Sequence, residues 1–395
     1  MPKNNMKNEV DERKIKELLN TTKEVIKNSS LPNGAIIASD VHNKIYPKDV
    51  KWYGYVWPRD ASYTCYAADL LGLHKISKNF YKWCLERAEG FEKNGIFIAH
   101  KYYPNGRVAG DFDVGIKISD IKNKKLIKWY KKQQKVKLFY FNFQPDETAS
   151  FLWSLYEHSK FEDVSEFKEI ASKTADGICK FWKIDHFILP SHDLWEEHTA
   201  LSHLNQVHTY SLAMCVKGLE CASKLLNQDK WKKTINQMKI ILNKCYVEKL
   251  RYFVRTFGKK IDKTIDSSML GLVWPSEQFP ASDERIVNTV NKILEKNEVG
   301  GGILRYANDK YDGKISFGDL VLGGGGTWPI LNFWLSIYFS LLGKKEDSLK
   351  YFNWVVRRVE KYIPEQIKKG KEASIVPLTW SHAMFVISAK FLNLF

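Results

Sequence analysis

The sequence predicts an all-α protein, an (α/α)6 barrel of six inner and six outer helices that forms one domain over residues 1–395. Three observations carry that prediction. Apolar residues recur at i, i+3 and i+4 along about twelve stretches, with few convincing strands. The stretches alternate between apolar and amphipathic, and the joins between them alternate between short and long.

In chain order the spacing predicts helices over 10–28, 60–72, 74–92, 147–159, 163–184, 205–225, 228–246, 265–273, 279–297, 327–343, 345–363 and 378–394. The odd-numbered members carry Lys and Glu on one side, as in ERKIKELLNTTKEVIK and KKEDSLKYFNWVVRRVEKYI. The even-numbered members are apolar and rich in small residues, as in YTCYAADLLGL, TYSLAMCVKGLECA and WSHAMFVISAKFL. An amphipathic helix belongs outside and an apolar one inside. Joins from inner to outer helices are short, such as Gly72-Leu73-His74 and Leu342-Gly343-Lys344, whereas outer-to-inner joins are long. The long joins therefore gather at one end, where function is expected to concentrate. One of them holds a Lys-rich insertion at about 110–140, a candidate hairpin or lid.

Composition narrows the class. A chain of 395 residues can bury a sizeable core, and its 13 Trp, 19 Tyr and 22 Phe suit a helical interior or a carbohydrate site. No apolar run reaches the ~20 residues of a membrane span. The N-terminal MPKNNMKNEVDERKIKELL is polar and lacks a secretory apolar segment, so an intracellular, cytoplasmic protein is expected. Cys65, Cys84, Cys179, Cys215, Cys221 and Cys245 are scattered without a C-x-x-C pair and read as buried free thiols. The net charge of +16 raises nucleic acid as a partner, but the excess is Lys spread along the whole chain. That pattern fits solvated helix faces rather than a binding stripe.

Candidate chemistry centres on Asp193-Leu194-Trp195-Glu196-Glu197. Three carboxylates so close repel, so at least one is expected to keep its proton near neutral pH in a dry site, as a general acid must. Trp195 offers a flat face for a pyranose ring and an indole N–H for a hydroxyl. The alternative is an acidic helix N-terminus.

Other uncommon polar residues fall in the same phase, just ahead of an inner helix. They are Trp57-Pro58-Arg59-Asp60, Gln144-Pro145-Asp146-Glu147, Asp266, Arg305-Tyr306, Gly323 to Gly326 with Trp328, Glu365-Gln366, and Leu378 to His382 with Trp380. A shared rim implies a shared pocket. Arg59 and Arg305 would donate forked hydrogen bonds to hydroxyls or carboxylates, and Asp60 would accept from paired hydroxyls. Arg59-Asp60 could instead be a structural ion pair, and Asp146 a helix cap. His192, His198, His203 and His208 crowd the acidic segment, but their spacing lacks the H-x-x-x-H face of a zinc site, so no metal is expected. The glycine run lacks the Lys-Ser/Thr ending of a phosphate loop.

These motifs resemble glycoside hydrolase family 15, the glucoamylase family. The match runs from NGAIIAS at 33–39 through YVWPRDA, FQPDETA, DLWEE, Asp266-Ser267-Ser268, LRY at 304–306 and PEQ at 364–366 to LTWSHA at 378–383. The resemblance implies that Glu196 is the general acid, Glu365 the general base that activates water, and Glu197 a substrate ligand. It also implies that Trp57, Arg59, Asp60, Trp195 and Arg305 hold a terminal glucose. Gln144, Asp146, Asp193, Trp328 and Trp380 complete the expected substrate-binding set. The family inverts configuration and needs no cofactor.

The implied activity is that of an exo-acting glucan 1,4-α-glucosidase on α-glucans or maltooligosaccharides, with trehalase or glucodextranase as alternatives on the same scaffold. A glucan-binding regulatory protein is the reading from another class, and it would be marked by loss of a catalytic carboxylate. Three features depart from the family pattern: the chain starts at the first barrel helix without the usual β-sandwich, Phe143 stands where many relatives have Trp, and the Lys-rich insertion is present.

Overall fold

A computed structural model describes residues 11–109, 143–314 and 324–395. The insertion at about 110–140 and Gly323 lie outside them. The amphipathic pattern becomes α1 (Glu12–Ser29), α3 (His74–Glu86), α5 (Lys168–Phe181), α7 (Lys232–Lys244), α8 (Glu284–Asn297) and α10 (Lys345–Val356). The apolar pattern becomes α2 (Pro58–Leu70), α4 (Pro145–His158), α6 (Thr209–Leu226), α9 (Pro329–Leu341) and α11 (Thr379–Phe391). The sixth inner member is a 3-10 helix, Ser267–Leu272.

The inner members form a closed ring. α2 packs on α4, α4 on α6, α6 on the 3-10 helix, that helix on α9, α9 on α11, and α11 back on α2. Each outer helix covers this ring, α1 against α11, α3 against α2, α5 against α4 and α6, α7 against α6, α8 against the 3-10 helix and α10 against α9. The architecture is the (α/α)6 barrel. Burial follows the pattern that predicted it: α1 buries Ile15, Leu18, Thr22, Val25 and Ile26 along one stripe, whereas residues 329–339 of α9 are buried on every side.

Several predicted helices are shorter than their apolar pattern. The stretch at 265–273 is not α-helical: Asp266 caps the first turn by accepting the Ser268 N–H at 2.8 Å, and Gly271 lies against the Tyr210 ring. A Cβ there would stand 2.5 Å from that ring, and Pro275 lacks the N–H needed to continue the helix. The stretch at 74–92 breaks at Arg87, followed by a single helical turn, Phe91–Asn94, between Gly90 and Gly95 in left-handed conformations. At 279–297 the helix begins only after Asp283, whose carboxylate accepts the Arg285 N–H at 2.9 Å. At 345–363 it stops at Val356.

The axis of the barrel is filled with rings. Tyr63 has ring centres of Trp153, Trp380, Trp274 and Trp334 around it at 5.0, 5.4, 5.9 and 6.2 Å. All six cysteines are free thiols, five buried and Cys179 partly so. No helix among the described residues is long and apolar enough to cross a membrane.

Candidate active site

Three inner helices begin with proline at the first position: Trp57-Pro58, Gln144-Pro145 and Trp328-Pro329. Proline fits there because the first helical N–H has no partner to lose, and it forces the preceding residue into extended backbone. Trp57, Gln144 and Trp328 are accordingly extended, with φ of −96°, −126° and −104°. Each proline therefore turns the chain sharply from a rim segment into the barrel. The residues beside it stand at the end where the long joins gather.

Those residues surround a cavity of about 440 Å³. Trp57, Arg59, Asp60, Trp195, Glu196, Glu197, Arg305, Trp328, Glu365 and Trp380 line it, joined by Lys51, Tyr53, Lys101, His192 and Tyr311. On one wall Arg59 is 2% exposed, so its charge must be answered by protein. Its Nη1 donates to Gln144 Oε1 at 2.8 Å and Asp146 Oδ2 at 3.0 Å and lies 3.1 Å from Glu147 Oε1, while its Nε lies 3.3 Å from Asp60 Oδ1. Burial pushes Asp60 up to about 7 against the pull of Arg59, with the charges of Glu196 and Glu365 adding to the rise.

The acidic segment is a loop between two short antiparallel strands, Ser191–His192 and Thr199–Ala200, and not a helix N-terminus. Asp193 organises it from below by accepting the Glu197 and His198 N–H groups at 2.9 and 3.2 Å. Burial works to raise Asp193, but His198, His208, the Glu197 N–H and Arg255 outweigh it and bring the carboxyl down to about 2. Trp195 donates its Nε1 to Asp266 at 2.9 and 3.1 Å, which fixes the ring against Trp328 with centres 5.6 Å apart. Glu196 sits at a left-handed φ of 61°, a conformation that costs a non-glycine residue about 1 kcal/mol or more and here turns its carboxylate into the cavity.

Glu196 Oε1 accepts Trp57 Nε1 at 2.5 Å, and Oε2 lies 3.1 Å from His100 Nε2. Burial would raise this carboxyl, yet His100, Lys101 and Arg59 together hold it well below the usual range. Glu197 is held by Arg305 Nη2 at 2.7 Å and by the Tyr306 hydroxyl. Arg305 is in turn gripped by both oxygens of Asp309 at 2.7 Å.

Across the cavity, Glu365 Oε1 accepts the Tyr53 hydroxyl at 2.9 Å, and Oε2 accepts the Ser374 hydroxyl. Burial raises Glu365 above the ordinary carboxylate range, opposed by Ser374, Tyr53, Arg305 and Lys51. In the run 193–197, where a retained proton was expected, Asp193 and Glu196 are instead both held low by their partners. Burial raises Asp60 and Glu365, whereas Asp193, Glu196 and Glu197 face different cationic and N–H partners.

Residues 13–390 match the glycosyl hydrolases family 15. The chain belongs to that family. Among the relatives of this family 15 chain, an uncharacterized glycosyl hydrolase of Methanocaldococcus jannaschii is 30% identical over 364 residues, covering 85% of this chain and 50% of that protein. An isomaltose glucohydrolase of Kribbella flavida is 24% identical and covers 65% of this chain and 66% of its own length. A trehalase of Sulfolobus acidocaldarius is 27% identical and covers 70% and 47%. The family 15 chain thus spans about half the length of two of these three relatives, and 66% of the third. A solved glycosidase structure superposes with a TM-score of 0.73 at 20% identity, covering 97% of this chain and 98% of the other, which shows a shared fold.

Not every candidate reaches the cavity of the family 15 barrel. Gln144 and Asp146 are 0% exposed and act on it through Arg59, and Asp193 acts through the backbone of the acidic loop. Asp266 is likewise buried and reaches it through Trp195. His208 is buried between Ser191 and Thr256, and among the described residues no cluster of His, Cys, Asp and Glu could hold a metal ion. Sequence reasoning missed Tyr53, His100, Ser374 and Tyr311. Tyr53 stands four residues before Trp57, close enough to the YVWPRDA motif to have been included. The others lie in irregular segments with no pattern to mark them.

Proposed function

We propose that the protein is an inverting, exo-acting α-glucosidase of glucoamylase type that releases β-glucose from the non-reducing ends of α-glucans or maltooligosaccharides. The observation that carries this is the pairing of Glu196 and Glu365 across one cavity whose walls are aromatic rings and arginines. Inversion needs two carboxyls about 6.5–9.5 Å apart, with room for one water between base and sugar. Tyr53, which bonds Glu365, has its ring centre 5.2 Å from that of Trp57, which bonds Glu196, so the two carboxyls are carried by neighbouring side chains of one wall.

In this reading Glu365 is the base. It takes a proton from water as the water oxygen bonds to the anomeric carbon, and Glu196 delivers a proton to the leaving glycosidic oxygen as its bond to that carbon breaks. After one turnover Glu365 is protonated and Glu196 ionised, and exchange with solvent resets both. Arg59, Asp60, Glu197 and Arg305 bind hydroxyls of the terminal sugar, with Trp57, Trp195, Trp328 and Trp380 against its C–H faces. Asp60, raised by burial, accepts from sugar hydroxyls. The partner is a saccharide rather than nucleic acid, the reaction needs no cofactor, and the whole described chain serves as one catalytic domain. A cytoplasmic location is part of the proposal.

Relatives named for isomaltose and for trehalose favour a second reading in which the same acid and base act on those linkages. The test offers the purified protein and its Glu196→Gln variant maltose, maltotriose, soluble starch, isomaltooligosaccharides and trehalose in parallel, following glucose and its anomer by NMR. Release by the wild type alone, as β-glucose, supports the proposal, and the substrate consumed names the linkage. α-Glucose as first product overturns inversion. Silence on all substrates from a folded protein favours a glucan-binding regulator.

A further inference from the structure

The glycosidase reading asks Glu196 to give up a proton, yet its neighbours hold that carboxyl below the usual range. The group responsible is visible. His100 is 1% exposed, and its Nε2 lies 3.1 Å from Glu196 Oε2. The opposite oxygen, Oε1, is already taken by Trp57 Nε1 at 2.5 Å. The carboxylate is therefore held between an indole that cannot release a proton at ordinary pH and an imidazole that can. The His192 ring stacks on that of His100 with centres 6.2 Å apart.

We propose that His100 is a positioning residue that shares one proton with Glu196, so that the acid of the reaction is the His100–Glu196 pair rather than the carboxyl alone. The inference rests on the glycosidase reading for its catalytic consequence and on geometry for the pairing itself. The pair holds one proton between Nε2 and Oε2, and the charges of Lys101 and Arg59 favour the ionised carboxylate. When a glycosidic oxygen reaches Glu196, the Nε2–H bond breaks and an Oε2–H bond forms, leaving a neutral imidazole and a neutral carboxylic acid. That acid proton then goes to the leaving oxygen as its bond to carbon breaks, and solvent returns one proton to the pair.

Other charges face the pair and bias it. Lys101, next in the chain, has its Nζ 5.8 Å from the Trp57 ring centre, and Arg59 approaches from α2, both favouring the ionised carboxylate. Asp60 on α2 and Glu365 across the cavity oppose them, with Tyr53 and Tyr311 neutral beside Glu365. Glu197 on the acidic loop is committed to Arg305.

Two coupled groups lose their last proton at a higher pH than the weaker base would alone, because either can hold it and the charged forms attract. The experiment compares the pH dependence of kcat/KM for wild type and His100→Gln, with folding checked by circular dichroism. The expected result is a basic limb shifted to lower pH by one unit or more, activity at pH 7 reduced at least tenfold, KM changed less than threefold, and the acid limb of Glu365 unmoved. A basic limb at the same pH, with the profile merely lowered, overturns the proposal. A second measurement needs no turnover: the His100 ring is titrated by NMR in wild type and in Glu196→Gln. A midpoint lowered by at least one pH unit in the variant supports the shared proton, and an unchanged midpoint overturns it. This holds even if no glucoside is hydrolysed, so the pairing and the glycosidase reading fail separately.

Discussion

The Tyr53 hydroxyl donates to Glu365 Oε1 at 2.9 Å, across 312 positions of sequence, and the same oxygen of Tyr53 meets the Tyr311 hydroxyl at 2.5 Å. Tyr53 thus stabilises the charged form of a carboxyl that burial raises. Tyr53→Phe removes that contribution, so Glu365 becomes still harder to ionise. The expected outcome is an acid limb of kcat/KM moved to higher pH and kcat reduced about tenfold or more, consistent with loss of a hydrogen bond to a charged group. A pH–rate profile with an unmoved acid limb would count against Glu365 as the base.

Gly313 supplies the other side of the same carboxylate. At its φ of +72°, a Cβ would stand 1.8 Å from Ser374 Oγ and 3.2 Å from Glu365 Oε2. Gly313→Ala must displace the serine that holds Oε2. We expect kcat to fall at least tenfold and stability to drop by about 1–2 kcal/mol, the cost of a strained left-handed residue. Steady-state kinetics and urea unfolding read the two effects.

Asp146 is a case where stability and affinity move together. It is fully buried, and its Oδ2 is 3.0 Å from Arg59 Nη1. Asp146→Asn keeps the shape but leaves part of the Arg59 charge uncompensated, so unfolding free energy should fall by about 3 kcal/mol. Because Arg59 also faces the cavity, KM should rise more than kcat falls. Chemical denaturation and Michaelis–Menten curves test both.

The barrel carries its own acid sensitivity. His382 is buried and brought down to about 3 by burial, with Nδ1 2.8 Å from the Thr22 hydroxyl and Nε2 accepting the Ile363 N–H at 2.9 Å. Its folded value lies below the ordinary 6.5, so between these two pH values the unfolded chain binds a proton that the folded one refuses. Stability is therefore lost as pH falls through that window, with a slope from this group approaching about 1.4 kcal/mol per pH unit. His382→Gln should be less stable at pH 7 but lose less on acidification, as read by thermal unfolding at stepped pH.

The barrel was legible because its outer helices repeat with a 3.6-residue period and its inner ones are apolar throughout, and both patterns survive in single sequences. The eighth member misled for a local reason: SSMLGLVW has the composition of a buried helix, but the contact of Gly271 with Tyr210 and the nearby Pro275 allow only a 3-10 turn. At the site, Arg59 was legible because it opens an inner helix, and Glu196 and Glu365 because they stand in the DLWEE and PEQ motifs of the resemblance. His100 and Ser374 were not, since each sits in an irregular segment and gains meaning only from a partner far along the chain. Closeness in sequence is not closeness of charge, which is why the low values of Asp193 and Glu196 were not legible. Asp193, Glu196 and Glu197 each turn to a different partner, and the partners decide the charge.

The rings stacked around Tyr63 have a mechanical consequence. They plug the barrel axis beneath the cavity, and the short joins leave little chain at the far end to frame a second opening. Tyr63 touches Trp380, which also lines the cavity, so the ring cluster of the barrel axis is continuous with the wall of the site. A change in how those rings pack therefore reaches the cavity wall through a single indole, and the floor of the site is as stiff as the core that makes it.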